Sequence, residues 1–252
     1  MEQKLLSAIL DVAVSFARAG AEISRIEESI TRMCLAYNVK RAEVYATTSH
    51  ILVCVEDNDG ETKMLQRRVF GISFNIEKLH RLNDLVRYIS ANAPSILEIK
   101  EKLAEIKGTK NTSVYTLPLF FAIIAVSFAF FFGCRNGNEA ITAFVTGIVI
   151  GVLDIFAAKS NINKILARFI CSFVAAFVVK FFIYINFIQN PDFVIIGNIM
   201  SLIPGIGITN ALRDLLSGDT ITGILRTIEA LLLTVSIALG FALPSLILGG
   251  GI

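Results

Sequence analysis

The residues most able to do chemistry are charged side chains set in apolar surroundings: Asp154, Lys180, Asp214 and Glu229, with Arg213 beside Asp214. A charge at membrane depth is costly, and it is retained where it carries an ion or meets a substrate. Asp154, Asp214 and Glu229 could carry a coupling proton, and Lys180 and Arg213 could attract a carboxylate. Structural roles compete with these. Arg226 and Glu229 are spaced to form a helical ion pair; Lys180 could pair with Asp154 or Glu229, or snorkel; Asp214 could simply lie in water at the end of its segment.

A helix breaker stands next to these charges. The run SLIPGIGITNALRDLLSGD, residues 201–219, places Pro204-Gly205-Ile206-Gly207 near the middle of an apolar segment that starts at Asp192. Pro204 removes a backbone hydrogen bond and disfavours helical geometry at Ile203, while Gly205 and Gly207 let the chain unwind, so two half-helices are expected. Such backbone is tolerated at membrane depth only where protein or a wet cavity satisfies it. The second half-helix is expected to begin near Thr209 and Asn210, aiming free N–H groups and the positive end of its dipole at a carboxylate. Thr209 and Asn210 could equally serve as caps. Asn198 would line the same cavity or bond a neighbouring helix. The substrate-binding candidates are thus Asn198, Pro204, Gly205, Thr209, Asn210 and Lys180, and the ion-coupling or gating candidates are Asp154, Asp214 and Glu229. Asp219, in the turn before the last apolar segment, reads as a helix cap.

The elements that must hold these residues follow from composition. The 252 residues are 54% hydrophobic and only 17% charged, with a mean hydropathy of +0.68. That is too apolar for an ordinary soluble domain. Residues 1–110 hold 16 of the 23 Lys and Arg and 15 of the 21 Asp and Glu, whereas 16 of the 19 Phe lie beyond them. Two parts are therefore expected: an α+β domain over 1–110 and an all-α polytopic membrane domain over 111–252. In the first, Leu6, Ile9, Leu10, Ala13, Phe16 and Ala17 mark a helix ending at Gly20, and Ile23, Ile26, Ile30 and Met33 mark a second. EVYATTS, HILVCVED and ETKMLQRRV read as strands, with Asn58-Asp59-Gly60 as a hairpin turn. Residues 75–90 and 94–107 read as helices, the latter with Pro94 in its first turn and Gly108 just past its end.

From Val114 onward five spans are expected, the fourth broken at Pro204-Gly205. The N-terminus lacks the uninterrupted core of a signal peptide, since Glu2 and Asp11 fall inside it. Lys159, Lys164 and Arg213 near one set of loops, against Arg135 on the other, orient the charged domain toward the cytoplasm. Gly147-x-x-x-Gly151 permits close helix packing. Cys34, Cys54, Cys134 and Cys171 are scattered, so neither a disulfide framework nor a metal site is expected. No cofactor is expected, and a net charge of +2 without a basic stripe leaves no nucleic-acid partner.

Two stretches carry a resemblance: GAEISRIEESITRM at 20–33 and LIPGIGITNALRDLLSGDTITGILR at 202–226. Together they resemble the threonine/serine exporter family, with its GAE-x-x-R-x-E and PG-x-x-x-x-NA-x-x-D-x-x-x-GD patterns; TTSHILV and RRVFGISFNIEKLHRLNDLVR also look like family segments. The resemblance marks Gly20, Ala21, Glu22, Arg25 and Glu27 in the soluble motif, and Pro204, Gly205, Asn210, Asp214, Gly218 and Asp219 in the membrane motif. Gly207 departs from it, where a second proline is often found, which softens the unwinding. The resemblance implies an inner-membrane, multi-pass bacterial exporter of small carboxylate-bearing metabolites, with no catalytic residues. Ending at Gly249-Gly250-Gly251-Ile252, the chain resembles the larger subunit of the split, two-gene form. A second small membrane subunit and an oligomer are then expected, and the substrate stays open between threonine or serine and a dicarboxylate such as succinate.

Two other readings compete. A membrane-tethered hydrolase would rely on His50 and Cys54, with Ser49 a remote third, but no GxSxG or HExxH pattern supports it. Alternatively, the N-terminal domain senses a ligand or gates the membrane part, with Glu22, Arg25, Glu28 and Arg32 as a charged helix face. Arg25 and Glu22 could also be no more than a local ion pair.

Overall fold

The computed structural model describes residues 1–71, 75–109, 114–160 and 162–247. The expected domain boundary at 110/111, residues 72–74 and the terminal 249–252 lie outside them. The described chain divides into two compact units. One comprises Met1–Lys110 together with Thr209–Arg226, and the other Asn111–Ile208 together with Thr227–Ile252.

In the first unit, α1 (Gln3–Arg18) buries Leu6, Ile9, Leu10, Ala13, Phe16 and Ala17 along one side, and α2 (Ile23–Leu35) buries Ile23, Ile26, Ile30 and Met33. These are the positions that a 3.6-residue period selects. Between them the chain reverses at Gly20, whose φ of 96° is open to glycine and strained for most other residues. Three antiparallel strands follow in the order β1-β2-β3: β1 (Arg41–Ala46), β2 (His50–Glu56) and β3 (Thr62–Arg68). Ile51, Val53 and Val55 face the helices, while Tyr45 and Met64 lie on the open side. The β2–β3 loop closes through Asp57 N–H to Glu61 O and Gly60 N–H to Asp57 O, with Gly60 at φ 81°.

Two further helices complete this core, α3 (Ile76–Asn92) and α4 (Ile96–Gly108). Asn75 caps α3 by accepting the Lys78 N–H. The start of α4 differs from expectation. Ser95 caps it by accepting the Glu98 N–H, so Pro94 stands outside the helix and its carbonyl instead accepts the Tyr37 hydroxyl. Gly108 is the last helical residue and does not lie past the end.

The second unit begins with a 3₁₀ turn (Val114–Thr116) and α5 (Leu117–Phe131), followed by α6 (Gly137–Lys159), α7 (Lys164–Tyr184) and α8 (Asp192–Leu202). After the break come α9 (Gly205–Leu216), which belongs to the first unit from Thr209 onward, and α10 (Thr220–Ile247), which belongs to it as far as Arg226. Among the described helices, α6, α7 and α10 are long and apolar enough to cross a membrane, and α8 with α9 makes a further span if the bent pair is counted as one. The first expected span holds a helix of 15 residues, because its leading turn is 3₁₀ and the helix stops before Phe132. Glycines let the backbones meet: at Gly147 an added Cβ would stand 2.6 Å from the Ala122 Cα, at Gly151 it would overlap Pro118, and at Gly197 it would overlap the Ala125 carbonyl. The Gly147–Gly151 pair is therefore the surface on which α5 lies.

At the break, Ile203 is extended (φ −62°, ψ 131°), as the residue before a proline prefers. The chain bends there by 54°. Helix α9 starts immediately, at Gly205, with Ile208 N–H bonded to Pro204 O. Thr209 and Asn210 are therefore inside the helix, not at its start, because Pro204 already supplies the fixed φ of a helix entrance.

A Gly197→Ala substitution must push α5 and α8 apart, and overpacking of this kind costs about 1–3 kcal/mol. Unfolding of the detergent-solubilised chain should show that loss. Gly205→Ala, where an added Cβ meets nothing within 4 Å, should leave stability within about 0.5 kcal/mol.

Candidate functional site

The C-terminal end of α9 is shaped by its turn. Gly218 takes φ 92°, its N–H bonds Leu215 O, and the Asp219 N–H reaches back to Asp214 O at 2.9 Å. This is a Schellman closure with glycine at the left-handed position. Asp219 then takes up the cap position of α10, its carbonyl accepting the Gly223 N–H. The two helices approach so closely that a Cβ on Gly223 would lie 2.6 Å from Leu215 Cγ.

That hairpin brings Asp214 and Arg226 together. Arg226 Nη1 lies 2.5 Å from Asp214 Oδ2, with the two side chains 8% and 1% exposed. Both reach the Gly20–Ile23 turn of the same unit. Arg226 Nη2 donates to Ala21 O at 3.4 Å, and the Ile23 N–H at the start of α2 is directed at the Asp214 carboxylate. A carboxylate at a helix N-terminus meets the positive end of the helix dipole. Arg213, on the outer side of α9, pairs with Glu22. The two stretches that carried the family resemblance thus form one site in which complementary charges clasp a helix entrance.

The rest of the soluble motif braces that entrance. Arg25 donates to Asn83 Oδ1 on α3 at 2.9 Å and lies 5.9 Å from the Phe16 ring centre, so the suggested Arg25–Glu22 pair is not formed. Glu27 Oε1 accepts the Ala46 N–H at 2.7 Å, tying α2 to the end of β1. Burial raises the Glu27 carboxyl above its ordinary 4.5, the Ala46 N–H pulls it back, and the negative Asp219 raises it further. On the same helix, Arg32 and Glu28 make an exposed i, i+4 pair at 3.5 Å.

Three of the charges that sequence placed in apolar segments have settled partners. Asp214 is buried, not wet, and Arg226 pairs with it and not with Glu229, which is exposed. Asp154 on α6 lies 3.0 Å from Arg168 on α7, so its partner is not Lys180. Lys180 is half-buried on α7. Of the remaining candidates, Asn198 is fully buried, Pro204 and Asn210 are half-buried, and Gly205 and Thr209 are exposed. Sequence reasoning missed Arg168 as a partner and missed Glu139, which is 2% exposed. An N-x-x-E pattern from Asn136 to Glu139 opens α6 and was the available signal.

His50 and Cys54 do not form a catalytic pair. Four residues apart on one strand, they are separated by about 13 Å, and His50 Nε2 instead meets Gln66 Oε1 at 3.0 Å. Among the described residues there is no group of His, Cys, Asp and Glu able to hold a metal ion.

Removing one partner from a buried ion pair leaves an uncompensated charge, so Arg226→Ala should destabilise the chain by about 3–5 kcal/mol. The apolar double replacement Asp214→Leu with Arg226→Met should recover most of that in denaturant unfolding. For Glu27, the folded chain binds its proton more tightly than the unfolded chain. Its contribution is present below about pH 4.5 and is lost as pH rises through the higher folded-state value. Glu27→Gln keeps the Ala46 bond, so unfolding midpoints at pH 5 and pH 7.5 should fall less between the two pH values than in the wild type.

Residues 7–247 match the model of the ThrE family, described as "Putative threonine/serine exporter". The chain is 22% identical over 246 residues to the "Probable succinate transporter subunit YjjP" of Klebsiella aerogenes, covering 95% of this chain and 92% of that one. It is 21% identical over 236 residues to the protein of the same name from Escherichia coli K12, covering 91% and 89%. No solved structure matches it. With the family model spanning nearly its whole length and both family motifs meeting in one clasp, the chain belongs to the threonine/serine exporter family of membrane transporters.

Proposed function

We propose that this chain is the larger subunit of a secondary exporter for small carboxylate-bearing metabolites, either threonine and serine or a dicarboxylate such as succinate. It works with a second small membrane subunit in the bacterial inner membrane. In this reading residues 1–110 form a cytoplasmic domain, residues 111–252 cross the bilayer five times, and an ion gradient drives export. The observation that carries it is the break at Ile203-Pro204-Gly205. It opens an apolar segment and leaves the first turn of α9 exposed at Gly205, Ile206 and Ile208. At this turn the Gly205 N–H is bonded to Ile203 O and the Ile208 N–H to Pro204 O, so what it offers a carboxylate is the positive end of the helix dipole. Asn210, one turn further along and half-buried, adds an amide donor. The relatives named as succinate transporter subunits support the dicarboxylate arm and the need for a partner.

A gating role for the N-terminal domain is favoured by the clasp. Arg213 and Asp214 stand on the part of α9 that belongs to the first unit, and the Glu22, Ala21 and Ile23 contacts hold that part.

Counterflow of labelled serine, threonine and succinate into vesicles, with and without the small partner, tests the reading. Uptake of one solute should require the partner. Asn210→Ala should slow it about tenfold, the cost of one hydrogen bond to a charged ligand. Absence of all three activities in the assembled wild type would overturn the substrate class.

A further inference from the structure

The second unit contains a polar lane that the proposed substrate site does not use. Along the buried side of α6 lie Glu139, Thr142 and Thr146, at 2%, 0% and 0% exposure, and on α8 lies Asn198 at 0%. The two threonine hydroxyls donate to carbonyls one turn back, Asn138 O and Thr142 O, each at 2.8 Å. Asn198 Nδ2 donates to Val194 O at 2.8 Å, but its Oδ1 has no hydrogen-bond partner. Glu139 Oε2 receives only the weak Cys134 thiol at 3.6 Å, and Glu139 Oε1 has no partner. Cys134, bonded to Glu139, and Val194, whose carbonyl is bonded to Asn198, belong to one packed cluster with Ala129 and Ala143.

Buried acceptors are almost always paired, and a buried carboxylate almost always has a cation. Among the described residues no ion pair to Glu139 is formed, although the charge of Arg135 is felt at the Cys134 thiol beside it. Helix α5 has no ionisable side chain. On α8, Asp192 is exposed; in the preceding loop Arg135 is exposed; on α7, Lys180 is half-buried; and the ion pairs of α6 and α7 join Asp154 to Arg168. What remains is one buried carboxylate with an unpaired oxygen and, on a packed neighbouring helix, one unpaired amide carbonyl, hard oxygen donors that suit a proton or an alkali-metal ion and not a second anion. We propose that Glu139, with the Asn198 carbonyl, binds the cation whose gradient drives this transporter.

The inference rests on the exporter reading for its purpose but is tested without a substrate. The purified full-length chain is melted in NaCl and in choline chloride at pH 8, and in choline chloride from pH 8 to pH 5.5. A midpoint that rises with sodium at pH 8 identifies an alkali-metal site. One that ignores sodium and rises as pH falls identifies a proton site. In either case Glu139→Gln should lose the shift, keeping on acidification only the part that Glu27 contributes and that Glu27→Gln removes, and Asn198→Leu should raise the cation concentration needed for half the Glu139-dependent shift about fivefold or more. Should Glu139→Gln fail to fold, Glu139→Asp keeps the charge and should respond at a higher concentration. A wild type that responds to neither cation, or a Glu139→Gln chain with the wild-type response, overturns the proposal. In vesicles with the partner, Glu139→Gln should lose gradient-driven accumulation at least tenfold while keeping counterflow. A wild type that moves no tested solute yet shows the Glu139-dependent shift would refute the substrate class and leave the cation site standing.

Discussion

One buried carboxylate, that of Asp214, dictates much of the first unit. A charge removed from water must be met by charge or by oriented dipoles, and here it is met by both, the Arg226 guanidinium and the amide at the head of α2. Arg226 can reach it only if α10 folds back on α9. That reversal needs the left-handed Gly218, and the close approach that follows leaves no room for a side chain at Gly223. On the opposite side, Ala21 and Ile23 can present a carbonyl and an amide together only because Gly20 turns through positive φ between α1 and α2. Five small or charged residues scattered over two hundred positions thus answer to a single electrostatic demand.

The second unit meets its demands by contact. Its helices carry few charges, and Gly147, Gly151 and Gly197 replace side chains with backbone against α5. Farther along, Ser236 donates to Ile165 O at 2.7 Å, so a hydroxyl on α10 binds α7 at main-chain level. Lipid offers no hydrophobic gain for bringing apolar helices together, and small residues and interhelical hydrogen bonds take over that role. Against this background the unpaired oxygens of Glu139 and Asn198 are exceptions; Arg168 Nη1 also makes no hydrogen bond, but it stands 3.0 Å from the opposite charge of Asp154.

Much of the fold was legible because periodicity reports one-dimensional facts. The buried stripes of α1 and α2, the three strands and the break at Pro204 all follow from residue types within a turn or two of one another. Pairing across elements is not local, and there the reading went astray. Glu229 looked like the partner of Arg226 because it stands one helical turn away, yet the true partner stands twelve residues back, beyond a reversal. The same blindness set Lys180 against Asp154 while Arg168 went unnoticed. Glu139 escaped attention because an acid at the first turn of a helix is ordinary; only burial distinguishes it. The position of the helix start after Pro204 was open to inspection, since proline itself provides an entrance and no separate cap was needed.

Helix α5 carries a consequence for the surrounding lipid. Fifteen residues rise about 22 Å, whereas a hydrocarbon core is about 30 Å thick. Both backbone neighbours, α6 and α8, press against it through glycine, so the short helix cannot tilt or slide without losing those contacts. Its ends are marked by Tyr115 and Phe131, both largely exposed. In the five-span reading proposed above, the mismatch falls on the bilayer, which thins along this flank at a cost of a fraction of a kcal/mol per Å. In that reading acyl-chain length becomes one of the variables that set the conformational balance of the transporter.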